Sequence, residues 1–275
     1  MKNDRSEPPE RPARRALLTG SGVLAFGGMA GAAFGYKMRD PILEWRGMPV
    51  SSLPKGARHT SEFDRRAKDI YDRQARQTVE TVKQLKAKYE SPIYGRESVW
   101  TLIERLGLCI DTCDPSLMLT SQYAHVQQVL DGMERDGIKD KDLFLMALLH
   151  DLGKVMLLES EAPEHVVGAI VPVGEYTDGI GLSNVILQFG HDEIIYSRIK
   201  DHVPEHIAWT VRYHSIRLSA TDRYLDDRER AWRDRYLTTF QSYDLGSKSY
   251  SHFPRVDMAK YRALIEDTFP HPILF

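Results

Sequence analysis

The sequence predicts an all-α protein, a helical bundle with ligand-type side chains in its core, preceded by an uncharged N-terminal segment. Three observations carry that prediction. From Phe63 onward apolar residues recur at the 3.6-residue spacing of helices. No run alternates apolar and polar residues as a half-buried strand would. Several histidines and aspartates fall on the apolar faces of these periodic segments rather than on their polar faces.

The first 58 residues stand apart from this pattern. Residues 1–15 form a basic leader with Lys2, Arg5, Arg11, Arg14 and Arg15, and the 21 residues of 16–36 carry no charge. At about 1.5 Å per residue such a helix just spans a hydrocarbon layer of ~30 Å, so an uncleaved membrane anchor is the leading expectation. Six glycines make the run only mildly hydrophobic, and the Arg14-Arg15 opening resembles a twin-arginine export signal, the alternative; a cytoplasmic, untethered tail is the third. The excess of positive residues before the run would place the remainder outside the cytoplasm. Pro41, Gly47, Pro49, Pro54 and Gly56 break any period and mark residues 37–58 as a linker.

Residues 59–275 read as the catalytic domain. Phe63, Ala67, Ile70, Val82, Leu85 and Tyr89 predict one long helical segment; Val99 to Ile110 predict a second, with Ser98 as N-cap. Further helices are expected at about 118–135, 141–157, 181–200 (broken near Gly190), 204–216, 228–245 and 257–267, the last opened by Asp257. Loops fall near 111–117, 158–180 and 217–227.

Composition bounds the function. Among 275 residues, 37 Lys and Arg against 39 Asp and Glu give a formal charge of −2, which removes the case for nucleic-acid binding. A hydrophobic fraction of 42% excludes wholesale disorder. The two cysteines, Cys109 and Cys113, are too few for a disulfide framework, and their spacing predicts reduced thiols on one helix face.

The stretch Leu148-Leu149-His150-Asp151-Leu152-Gly153-Lys154 is the most informative. On a helix His150, Asp151 and Lys154 share one arc inside an apolar segment, and burying such charges without partners costs several kcal/mol. His125, His191 and His214 lie on apolar faces of other segments, and Asp244 follows Leu237 and Phe240 on one more. A single such histidine is usually a satisfied core residue; four histidines with two aspartates suggest a metal-binding bundle core. That is too many ligands for one zinc, and mixed nitrogen and oxygen donors without thiolate favour a pair of iron or manganese ions. His59, His165, His202, His206, His252 and His271 sit in polar stretches and read as surface residues.

The order His125, His150-Asp151, Asp244 resembles the signature of the HD-domain superfamily, mainly metal-dependent phosphohydrolases. Beyond it, the motifs His150-Asp151-Leu152-Gly153-Lys154-Val155, Pro172-Val173-Gly174, Gly190-His191-Asp192-Glu193 with Tyr196, Arg212-Tyr213-His214-Ser215 and Tyr243-Asp244-Leu245 with Lys248 resemble, in order, those of myo-inositol oxygenase. Gln77-Thr78-Val79, Asp111 and Asp114-Pro115 add to the likeness. The resemblance implies an HD-type bundle holding two iron ions, mixed-valent Fe(II)/Fe(III). His125, His150, Asp151 and Asp244 would hold one ion, His191 and His214 the other, with Asp151 bridging. It implies O2 as co-substrate, C–C cleavage of a polyol without external reductant, and catalytic roles for Asp151 and Lys154. Lys154, Lys248, Ser215, Asp111 and Gly168 would contact substrate. A monomeric catalytic domain acting on a small molecule is expected.

Two departures fall on substrate recognition. Ala169 stands where the family pattern has aspartate, and only Glu175 to Ile180 remain where the family carries a longer excursion over the site. A related polyol or a hydroxyphosphonate is therefore an alternative substrate. A metal-dependent phosphohydrolase is the rival enzyme, and a degenerate membrane-tethered scaffold the rival from outside enzymes.

Overall fold

The computed structural model describes residues 62–275. The leader, the uncharged run 16–36, the linker and His59 lie outside the described residues. Among the described residues no helix is long and apolar enough to cross a membrane.

The chain forms helices α1 (Glu62–Gln74), α2 (Val79–Lys88), α3 (Val99–Arg105), α4 (Gln122–Arg135) and α5 (Lys141–Leu149). After a long irregular stretch come α6 (His191–Ile199), α7 (Glu205–Tyr213), α8 (Leu218–Thr221), α9 (Asp227–Trp232), α10 (Thr238–Ser247) and α11 (Met258–Thr268). The only sheet among the described residues pairs β1 (Arg96–Glu97) antiparallel with β2 (Ile273–Leu274) and ties down the chain end, whose Phe275 is fully buried.

The helix at the centre is α5. Leu143, Leu145, Met146, Ala147, Leu148 and Leu149 are all buried, so it is apolar on every side and must be surrounded. Helices α4, α7, α10 and α11 pack around it. Its N-terminus is capped by the Asp140 side chain, which accepts from the Asp142 amide. Its C-terminus therefore delivers the next residues, His150 and Asp151, to the middle of the bundle.

Several helix boundaries differ from the sequence expectations, each for a local reason. The segment 63–89 is two helices, because Thr78 caps a new one by accepting from the Thr81 amide. The α-helix expected through 157 stops at Leu149 and continues as a 3-10 helix over Leu152–Glu159. His150, Asp151 and Lys154 thus straddle a helix change instead of sharing one α-helical arc; three residues per turn still set Asp151 and Lys154 on one side. Ser98 and Asp257 do cap helices as expected, whereas the helix expected over 181–200 is confined to His191–Ile199: Gly190 is its N-cap rather than a break within it, and only a 3-10 turn at Leu182–Asn184 precedes it. The segment 217–227 holds short helical turns rather than a plain loop, and the last long helical run contains a π-helical stretch at Arg233–Leu237. Cys109 and Cys113 are free and buried but share no helix: the chain turns at 111–117, and the Cys113 thiol donates to Asp111 Oδ1 at 2.6 Å.

Gly153 fixes how the 3-10 helix meets α6. A Cβ at this position would lie 2.1 Å from the His191 carbonyl oxygen, a backbone atom that has no rotamer to escape into. Only glycine lets the two backbones approach. Gly153→Ala should lower stability by about 1–3 kcal/mol through overpacking, read as a lower denaturant midpoint; an unchanged midpoint would contradict this packing.

Candidate metal centre and substrate cavity

Five segments converge on one point. His125 comes from the first turn of α4, His150 caps the end of α5 with Asp151 beside it, His191 opens α6, His214 ends α7 and Asp244 lies in α10. All six side chains are buried. They form three overlapping triads able to hold a metal ion: His125, His150 and Asp151; His150, His214 and Asp244; Asp151, His191 and His214.

Backbone carbonyls orient three of the rings. The Nδ1 of His150 donates to Ala147 O at 2.9 Å, that of His191 to Val166 O at 2.6 Å and that of His214 to Val211 O at 2.7 Å. A carbonyl can only accept, so Nδ1 bears a proton in each ring and Nε2 points inward. His191 Nε2 and His214 Nε2 lie 3.2 Å apart, a distance that needs a proton or another cation between them, and His150 Nε2 and Asp151 Oδ2 make no hydrogen bond although both are buried. Concentrated ring nitrogens and carboxylates in a dry site call for positive charge.

Asp151 divides the cluster. Its Oδ1 lies 3.1 Å from His191 Nε2 and 3.8 Å from His214 Nε2. Its Oδ2 lies 3.3 Å from His150 Nε2 and 3.9 Å from His125 Nε2. Asp244 Oδ1 joins the second group, 2.9 Å from His125 Nε2. The electrostatics agree with the geometry. Burial opposes the charged form of each group, yet His150 and Lys154 hold Asp151 well below the usual carboxylate range, and Lys248 and His125 do the same for Asp244. Burial likewise opposes a charge on His214, but Asp192 and Asp151 raise it to about 10, so the site seeks a cation even if only a proton fills that role.

A cavity of about 520 Å³ opens above the cluster, within the ~300–1,000 Å³ range of small-molecule sites. Asp111, Lys154, Gly168, Ser215 and Lys248 all line it, together with Asp151, His191, His214 and Asp244. Lys154 Nζ has three oxygens around it: Gln122 Oε1 at 3.0 Å, and Asp111 Oδ2 and Asp151 Oδ2 both at 3.1 Å. Burial works against its charge, but Asp151 and Asp111 raise its pKa well above that of a free lysine. Lys248 Nζ is 3.0 Å from Asp114 and 3.7 Å from Asp244. A Cβ on Gly168 would lie 2.8 Å from Ser215 Cβ, so glycine lets these two lining residues meet.

Sequence reasoning missed some supporting residues. Asp192 was visible only as a motif member, yet its Oδ1 lies 2.9 Å from His214 Nδ1 and its Oδ2 accepts from the Ser215 hydroxyl at 2.8 Å. Gln122, buried and bound to Lys154, carries no sequence signal of its role. Tyr71, Cys113 and Arg217 also line the cavity, and only the fold brings them there. Of the histidines expected at the surface, His202, His252 and His271 are exposed, while His165 and His206 are half-buried beside Glu161 and Asp142.

The fold and site define an α-helical protein with a buried His/Asp cluster, fit for metal, beneath a polar small-molecule cavity. A sequence model of the family described as myo-inositol oxygenase matches residues 64–175 and 170–275. Inositol oxygenase 1 of Arabidopsis thaliana is 29% identical over 268 aligned residues, covering 78% of this chain and 82% of that protein. Inositol oxygenase 2 of the same plant is 31% identical, covering 70% and 73%; the inositol oxygenase of Sus scrofa is 28% identical, covering 70% and 82%. The chain belongs to the myo-inositol oxygenase family, which is iron-dependent, and is an oxidoreductase of the oxygenase type.

Because the Asp192 carboxylate lies 2.9 Å from His214 Nδ1, behind the ring, Asp192→Asn should weaken metal retention about 10–100-fold with the helical signal intact. Competition with a chelator measures it. Unaltered retention would remove Asp192 from the site.

Proposed function

We propose that this protein is an inositol oxygenase that uses two iron ions, mixed-valent Fe(II)/Fe(III), and O2 to cleave one C–C bond of myo-inositol or a close polyol relative. For myo-inositol the balance is C6H12O6 + O2 → C6H10O7 + H2O, giving glucuronate, with all four electrons drawn from the substrate. The observation that carries the reading is the division made by Asp151. One oxygen serves His191 and His214, the other serves His125 and His150 beside Asp244, which suits a carboxylate shared by two ions.

When bound, the ions would supply Lewis acidity towards a substrate hydroxyl and the redox capacity to use O2. The chain's own residues do the rest. His125, His150, Asp244 and Asp151 Oδ2 would hold one ion, and His191, His214 and Asp151 Oδ1 the other. Lys154, held between Asp111 and Asp151, donates to oxygens and keeps the two carboxylates in register. Lys248, between Asp114 and Asp244, offers a second donor across the cavity, and Asp111 and the Ser215 hydroxyl give a polyol further partners.

Residues 16–36 are the proposed membrane anchor. Mass measurement of the mature protein tests this: a mass lacking them would make the run a cleaved export signal.

Protein reconstituted with iron under anaerobic conditions should consume one O2 per glucuronate formed when myo-inositol and air are admitted. His214→Ala should lose turnover while keeping its helical content. No O2 uptake with any cyclitol, or phosphate release from nucleotides that persists without oxygen, would overturn the oxygenase reading in favour of a phosphohydrolase.

A further inference from the structure

One of the cavity's cationic side chains has no partner in the lining. Three cationic side chains line the cavity: Lys154, Lys248 and Arg217. The two lysines are committed, Lys154 between Asp111 and Asp151 and Lys248 between Asp114 and Asp244. These four aspartates are also the acidic residues of the lining, so none is left for Arg217. The Arg217 side chain is exposed and has no ion pair or hydrogen bond among the described residues. Its backbone, by contrast, is fixed. The Arg217 amide donates to Ile170 O and the Ile170 amide to Ser215 O, both within a parallel bridge that joins Ile170 to Ile216. The guanidinium is therefore rooted beside Ser215 and beside the segment from Gly168 to Ile170, at the cavity's mouth.

The rim around Arg217 is open and lacks a balancing carboxylate. Ala169, next to the bridge, also lines the cavity and offers it only a methyl group. Its backbone is left-handed, at φ 59°, a conformation that Asp or Asn adopts more readily than Ala. The short 175–180 segment does not cover this mouth. It folds onto 222–224 through Gly179 N to Arg223 O and the Tyr176 ring against Tyr224, and none of its residues lines the cavity.

Building on the oxygenase reading, we propose that the preferred substrate is an anionic polyol, a hydroxylated ring carrying one phosphate or carboxylate group, with Arg217 binding that group at the mouth. The ring's hydroxyls reach Lys154, Lys248 and Ser215, while the charged substituent projects outward to a planar donor fork suited to two oxygens. Unlike the lysines, Arg217 gives up no existing ion pair to do so.

Calorimetric titration of the iron-loaded full-length protein under anaerobic conditions tests this, with myo-inositol, an inositol monophosphate, quinate and inorganic phosphate as probes. The phosphate or carboxylate ring should bind at least about tenfold more tightly than myo-inositol, and inorganic phosphate alone weakly. Which of the two rings binds better identifies the anionic group. Arg217→Gln should erase that preference, and Arg217→Lys should keep part of it. Ala169→Asp should reduce it, because a carboxylate there would compete for Arg217. The side chain of Arg217 is exposed, so its variants fold. Equal or tighter binding of myo-inositol would overturn the anionic substrate while leaving the oxygenase reading intact. A preference that survives in Arg217→Gln, or inorganic phosphate binding as tightly as the ring, would overturn the assignment to Arg217. Failure of every ring to bind and to drive O2 uptake would overturn the oxygenase reading and this one with it.

Discussion

The inward Nε2 atoms of His191 and His214, 3.2 Å apart in a dry core, are the constraint on which the rest of the site depends. Two imidazole nitrogens at that distance repel unless a proton or a metal ion lies between or beside them. The backbone enforces the arrangement by accepting the Nδ1 proton of His150, His191 and His214 on three separate carbonyls. Asp151 and Asp244 then add negative charge where the Nε2 atoms already converge. Stability is given up locally so that a cation site exists before any cation arrives, and the apolar packing around α5 holds that site in place.

The fold serves this arrangement through helix ends. His150 and His214 cap the C-terminal ends of α5 and α7, and His191 starts α6 after Gly190. Ends of helices bring side chains from several segments to one point, where their backbones can turn away from each other. The change from α to 3-10 geometry after Leu149 turns the backbone in this way around His150, Asp151 and Lys154. Gly153, tight against the His191 carbonyl, keeps that turn close enough for Asp151 to reach both halves of the cluster.

Much of this was legible in the sequence, because burial leaves a periodic trace. Residues such as Val126 and Val129 around His125, or Ile207 and Val211 before His214, already mark those histidines as inward-facing. Caps at Ser98 and Asp257 were readable from their side chains, and Gly190 was readable as a break. Other helix interruptions were not. Nothing in the spacing separates α1 from α2 except the capping contact of Thr78, and a 3-10 continuation has nearly the same apolar pattern as an α-helix. Residues that act through a partner distant in sequence were also hidden: Gln122 on Lys154, Asp192 on His214, and Arg217 on the mouth of the cavity. Their roles are set by tertiary contacts, the Arg217 position through a single bridge between Ile170 and Ile216.

The central proposal is that the cluster would hold two metal ions in unlike surroundings that share Asp151. A Mössbauer spectrum of protein reconstituted with iron, taken with a metal count per chain, tests it most directly. Two irons per chain with two distinct signals is the result the account predicts. One iron, or iron whose signal is unchanged in Asp151→Asn, would contradict it.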